Sequence, residues 1–170
     1  MDNNVIIIGG SHHNTLGVVR ALGQKGLKPF VIIVGKGNDS FVLQSKYVAD
    51  GIMVRSSDEA VVYVIDHFSD EKLTIIYSCT DSVTCSLDRY YDKLKTNCIF
   101  FNGKKAGKLN YLTNKYEMQQ LAVACGLHIP LTVKITSEVM TDEIVYPCVT
   151  KDIDNVCGSK SHMKLFDNER

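Results

Sequence analysis

Val5-Ile6-Ile7-Ile8 constrains the fold of this chain more than any other stretch. The run is continuously apolar, too short for a helix, and broken at once by Gly9-Gly10-Ser11. A run of that kind predicts a buried parallel strand with no face left for water. A helix is expected from about Asn14, with Leu16, Val19 and Leu22 on one stripe and an end near Gly26. Phe30 to Val34 is the next strand. Ser56-Ser57-Asp58-Glu59 reads as a capping box ahead of Val61, Val64, Ile65 and Phe68, spaced as on a helix buried along one face. Leu73 to Tyr77 is a further strand. Val83, Leu87, Tyr90, Tyr91 and Leu94 form another helical stripe, and Cys98 to Phe101 is a fourth strand. Strands alternating with one-faced helices predict an α/β fold, a Rossmann-like parallel sheet with helices on both faces and ligands at the C-terminal strand ends.

Composition narrows the function classes. A chain of 170 residues, 45% of them hydrophobic, can bury one core and the start of a second. Its 19 lysines and arginines balance 19 aspartates and glutamates, without a large basic cluster, which argues against a nucleic-acid surface. No apolar stretch reaches spanning length and no signal peptide opens the chain, so no membrane partner is expected. The six cysteines form no C-x-x-C pair, which points to a reducing cytoplasmic setting without zinc or a disulfide framework. The polar, glycine-bearing stretch Asn102 to Lys108 is the expected boundary, dividing the chain into 1–108 and 109–170.

The second part carries two lysines in telling places. Lys115 lies in the first turn of a helix that starts after Thr113-Asn114, closes at Gly126 and leads into a proline-bearing strand at Pro130. Lys151 ends the short apolar strand Tyr146-Pro147-Cys148-Val149-Thr150 and runs into a polar loop containing Gly158, Ser159 and Lys160. A lysine delivered by a strand supplies a point charge, and a glycine lets backbone N–H groups approach oxygens with no Cβ in the way. Both suit gripping phosphates.

These segments, in this order, resemble the opening of the ATP-grasp fold, so that 109–170 is expected to begin an α+β ATP-grasp lobe. Asn114 stands where that family has aspartate, Asp152 where it has proline, and the loop keeps only Gly158-Ser159 of a richer consensus. The resemblance implies that Lys115 and Lys151 contact the α- and β-phosphates of ATP, while Gly158, Ser159 and Lys160 cover the phosphate tail. Magnesium is implied as well, its acidic ligands expected downstream of this chain. No catalytic residue is assigned. The preceding domain resembles the pre-ATP-grasp domain of carbamoyl phosphate synthase-like and other carboxylate–amine ligases. There the first βα loop and a later strand end face the small-molecule acid or amine, which implies substrate contacts from Gly9, Gly10, Ser11, His12, Asn14, Thr80 and Asp81. Such a ligase works through an acyl phosphate that an amine captures. The resemblance covers only the front of the family, so this chain alone is expected to bind nucleotide weakly and to catalyse no ligation.

The residues also read more plainly. Gly9, Gly10 and Gly17 do not match G-x-G-x-x-G, which argues against a dinucleotide site. Two glycines with Ser11 and Asn14 at a helix N-terminus still suit a carboxylate or phosphate. His12-His13 reads as polar loop, Cys79 as a small buried hydrophobe, Asp81 as a helix N-cap, and Ser45-Lys46-Tyr47 as a packing or interface element. The rival function is a non-catalytic Rossmann-like ligand-binding or dimerisation module, pairing through an exposed helix or edge strand.

Overall fold

Val5 to Ile8 lie in β1 (Asn4–Gly9), the middle strand of a five-stranded sheet. The computed structural model describes residues 3–37, 39–68, 72–135, 144–151 and 163–167. They fall into two compact units, Met1–Leu109 and Asn110–Arg170. In the first, β1 is followed by α1 (His13–Gly23), β2 (Phe30–Val34), β3 (Asp50–Val54), α2 (Ser57–Phe68), β4 (Thr74–Ser78), α3 (Asp81–Arg89), α4 (Tyr91–Leu94) and β5 (Cys98–Phe100). The strand order is β3-β2-β1-β4-β5 and every pairing is parallel. The fold is α/β and Rossmann-like.

Alternation along the strands explains the unbroken apolar run. Ile6 and Ile8 pack with Ile32 of β2 against Val61 and Val64 of α2 and Val83 and Leu87 of α3. Ile7, Val31 and Ile33 point the other way, against Val19 of α1 and Val42. Both faces are therefore dry at the centre, and a polar residue at any of these strand positions would be buried without a partner.

Strand β3 is absent from the sequence reading. Its opening residues, Asp50-Gly51, look like a turn, and it forms only because β2 offers an edge, with Phe30 opposite Asp50 and Val34 opposite Val54. Among the described residues between β2 and β3 there is no helix. Val42, Leu43 and Tyr47 cover the sheet there instead. A Cβ on Gly23 of α1 would stand 2.2 Å from the Tyr47 ring, so of Ser45-Lys46-Tyr47 it is Tyr47 that packs against the core. This cover does not reach β4 and β5, where Tyr77 and Ile99, on the face that Ile7 shares, remain 43% and 53% exposed.

The stripe from Val83 to Leu94 is two helices rather than one. The break falls at Tyr90, whose φ of −92° and ψ of 12° leave the helical region. Helices α2 and α3 are joined by a polar cluster. Ser86 Oγ donates to Asp58 Oδ1, and Arg89 Nη2 lies 2.5 Å from Asp58 Oδ1 and 2.9 Å from Ser86 Oγ. The Ser86 hydrogen bond, then the Arg89 guanidinium, holds the Asp58 carboxyl below its ordinary pKa. A carboxyl depressed on folding adds stability above its unfolded value of about 3.9 and loses it as pH falls through the folded value. Because both side chains are nearly half exposed, the contribution is under about 1 kcal/mol. Urea midpoints should therefore fall less steeply below about pH 4 in Asp58→Asn than in the parent chain, and identical slopes would remove this cluster from the acid response.

α5 (Lys108–Thr113) begins at the end of the first unit and leads to α6 (Lys115–Ala124) of the second, where β6 (Cys148–Thr150) pairs antiparallel with β7 (Lys164–Phe166). The proline-bearing strand expected after α6 does not form, for residues 127–135 carry no regular structure. Pro130 has no amide proton for a ladder, and the apolar side chains Leu127, Leu131 and Ile135 face solvent. Gly158, Ser159 and Lys160 lie outside the described residues. Among the described residues no helix is long and apolar enough to cross a membrane.

Candidate functional site

The sheet order reverses between β1 and β4. From β1 the chain winds outward to β2 and β3, then returns across the sheet to β4 and β5, so the loops leaving β1 and β4 diverge and open a crevice. The crevice floor is pinned by Cys79 N donating to Ile8 O at 2.8 Å. Gly9 is buried there, and a Cβ on it would meet Thr15 Oγ1 at 2.5 Å and Cys79 Cβ at 2.7 Å. Gly10 has room, its nearest neighbour being Val34 O at 3.9 Å. The two glycines thus differ in kind. Gly9 is required by packing, whereas Gly10 leaves backbone open at the α1 N-terminus.

Ser11, His12 and Asn14 are exposed around this opening. His12 Nδ1 accepts from Asn14 N at 3.3 Å, which makes it the cap of α1, and its ring lies 3.7 Å from that of His13. Ser11 Oγ accepts from the buried Ser40 Oγ at 2.9 Å. The sequence holds no local sign of Ser40, because its partner is far away along the chain. On the β4 side the cap of α3 is Thr80, not Asp81. Thr80 Oγ1 accepts from Val83 N at 3.4 Å, and Asp81 becomes the first helical residue, exposed. Thr80 is extended, with φ of −143° and ψ of 151°, the conformation a cap needs, and this moves the helix start by one residue. Burial pushes the Cys79 thiol up, and the neighbouring Thr15 hydroxyl opposes this only in part. Thr15 Oγ1, fully buried, has no regular hydrogen bond, so its contact with Cys79 is weak. A half-buried protonated thiol is a poor nucleophile, in keeping with the packing role expected of Cys79.

A second site lies wholly within the Asn110–Arg170 unit. Lys115 and Lys151 both line one cavity of about 720 Å³. Lys115 is placed by Asn114, whose Oδ1 accepts from Tyr116 N and Glu117 N, each at 3.1 Å. Asparagine caps a helix as well as aspartate does, so this departure from the family pattern costs no local geometry. Lys151 follows β6 directly. A third lysine, Lys134, shares the lining, with its Nζ 5.6 Å from the centre of the Tyr116 ring. Nothing in the sequence singled it out. The rest of the lining is largely apolar, with Met118, Leu131 and Val149 among it, and no described aspartate or glutamate takes part. Glu117, the acid of the first turn of α6, is engaged by the Tyr111 phenol, whose pKa it raises. A partly apolar cavity with several cations and no described acid suits a ligand that joins a flat, weakly polar ring to an anionic tail. Among the described residues no group of three or more histidine, cysteine, aspartate and glutamate side chains could hold a metal ion. No protein-family model matches the chain and no curated protein is significantly similar to it, which leaves the residue pattern and this geometry to carry the functional reading.

Proposed function

We propose that the chain is the front part of an ATP-dependent carboxylate–amine ligase of the ATP-grasp type. ATP occupies the cavity of the second unit, its phosphates against Lys115 and Lys151. The acid or amine substrate sits at the crevice formed by Gly9, Gly10, Ser11, His12, Asn14, Thr80 and Asp81. The observation that carries the reading is the convergence of Lys115 and Lys151, far apart in sequence, on one cavity without a described carboxylate. In such a reaction a carboxylate oxygen attacks the γ-phosphorus and ADP leaves, after which an amine attacks the acyl carbon and phosphate leaves. The residues of this chain contribute position and charge: the lysines and the positive end of α6 neutralise phosphate oxygens, and the apolar lining excludes water from the nucleoside.

The test is a titration of the chain with ATP at millimolar concentration, followed by nuclear magnetic resonance. Signals of Lys115, Tyr116, Val149 and Lys151 should shift together, and signals that stay in place would end the proposal. The crevice is tested separately. Gly10→Val should leave the melting temperature nearly unchanged, since its Cβ meets only Val34 O, at an ordinary 3.9 Å, yet abolish binding of small carboxylates at the α1 N-terminus. Unchanged carboxylate affinity by calorimetry would remove this loop from the site.

The exposed Tyr77 and Ile99 favour a second reading, a non-catalytic module that forms a homodimer. It takes the lead if ATP moves no signal while sedimentation gives a dimer that Tyr77→Lys dissociates.

A further inference from the structure

We infer that the acid bound at the crevice is a dianion, an assignment that rests on the reading of the crevice as the acid site. Its second anionic group, a carboxylate or a phosphoryl group, sits against Lys36 and Arg55 in a separate pocket of about 270 Å³ at the ends of β2 and β3. Gly35, Lys36 and Gly37 line this pocket from the segment after β2, and Met53, Val54 and Arg55 from β3 and the residue after it. Lys36 and Arg55 are exposed, neither makes an ion pair with a described residue, and no described acid lines the pocket. The acids nearby in the chain are engaged by other groups: Asp58 by Ser86 and Arg89, Glu59 by Arg55 N at 2.8 Å, and Asp39 by Gln44 Nε2 at 3.4 Å.

Parallel strands bring their C-terminal ends to one edge of the sheet, so this pocket and the first loop are neighbours. Val34 O is the atom nearest to a Cβ on Gly10, and Ser40, on the chain leaving β2, donates to Ser11 of that loop. Adjacent strands stand about 4.8 Å apart, which puts the ends of β2 and β3 about 5 and 10 Å from the end of β1. One small molecule therefore reaches from Gly10 to both cations. Like charges on neighbouring strand ends repel, and an anion held between them relieves that repulsion. The two glycines keep side chains out of its way. A Cβ on Gly35 would meet nothing within 4 Å, and one on Gly37 only the Asp39 backbone, no closer than 3.7 Å, so an oxyanion has room against the backbone there.

The experiment titrates the 170-residue chain with butyrate, glutarate and 4-phosphonobutyrate, which differ only at the far end of the carbon chain, and follows both affinity and the backbone resonances that move. Two exposed cations together should favour glutarate over butyrate by about tenfold. The double variant Lys36→Gln, Arg55→Gln should remove that preference and leave butyrate affinity and the melting temperature unchanged, because Arg55 meets Glu59 through its backbone. Lys36→Arg with Arg55→Lys, which keeps both charges, should keep the preference. Tighter binding of glutarate assigns a second carboxylate, and tighter binding of 4-phosphonobutyrate a phosphoryl group. If glutarate binds no better than butyrate while Gly10 and Ser11 signals move with both, the inference fails and the acid site stands. If glutarate moves the Lys36 and Arg55 signals but not those of Gly10 and Ser11, the pocket is a separate anion site and the dianionic substrate is refuted. If no probe binds, both readings fail.

Discussion

Replacing Lys151 with alanine is expected to weaken ATP binding by about tenfold to more than a hundredfold. A charge-assisted contact in a partly desolvated site contributes roughly 1.5–3 kcal/mol, and each 1.4 kcal/mol is a factor of ten in affinity. Lys151 and its apolar neighbours are exposed in the free chain, so the range for charged groups applies to the contact once a bound nucleotide covers them. Lys115→Ala should behave alike, because it removes a cation from the same cavity. Lys104→Ala is the control. Lys104 is an exposed turn residue whose backbone N donates to Asn102 Oδ1 at 2.9 Å, a bond its side chain does not make. Titration of all three variants checks the expectation, and equal affinities among them would refute the assignment of the two lysines.

The second large effect is on stability. Ile32→Ala should cost about 2–5 kcal/mol, since Ile32 is fully buried at the centre of the sheet and its loss leaves a cavity walled by two strands and a helix. For a chain of this size each kcal/mol lowers the melting temperature by about 2–4 °C, so a fall of some 4–20 °C is expected in circular dichroism melts. Leu131→Ala, at a position 74% exposed, should change stability by less than about 0.5 kcal/mol. A comparable loss at both positions would mean that the core does not lie where β1 and β2 put it.

What could be read in advance was local. The runs at Val5, Phe30 and Leu73 each announce a strand because period and length are properties of a few neighbouring residues. Glu59 N does donate to Ser56 Oγ at 3.1 Å, as a capping box requires. The Glu59 side chain, however, reaches one residue further back than the motif implies, to Arg55 N at 2.8 Å. At α3 the sequence points to Asp81 as the cap, and the backbone dihedrals give that role to Thr80 instead.

By itself, then, the sequence determined that this is an alternating α/β chain, that its central strands are dry on both faces, and that Lys115 opens a helix while Lys151 follows a strand. These follow from hydrophobic period and capping chemistry, which act over a turn or two of chain. Only the tertiary structure decided that β1 lies between β2 and β4, that Asp50-Gly51 could be drawn into a strand, that Ser40 meets Ser11, and that Lys134 joins Lys115 and Lys151 around one cavity. Each of those depends on which distant surfaces are buried together. Burial energy depends on area removed from water, not on distance along the chain, so no short window of sequence contains it.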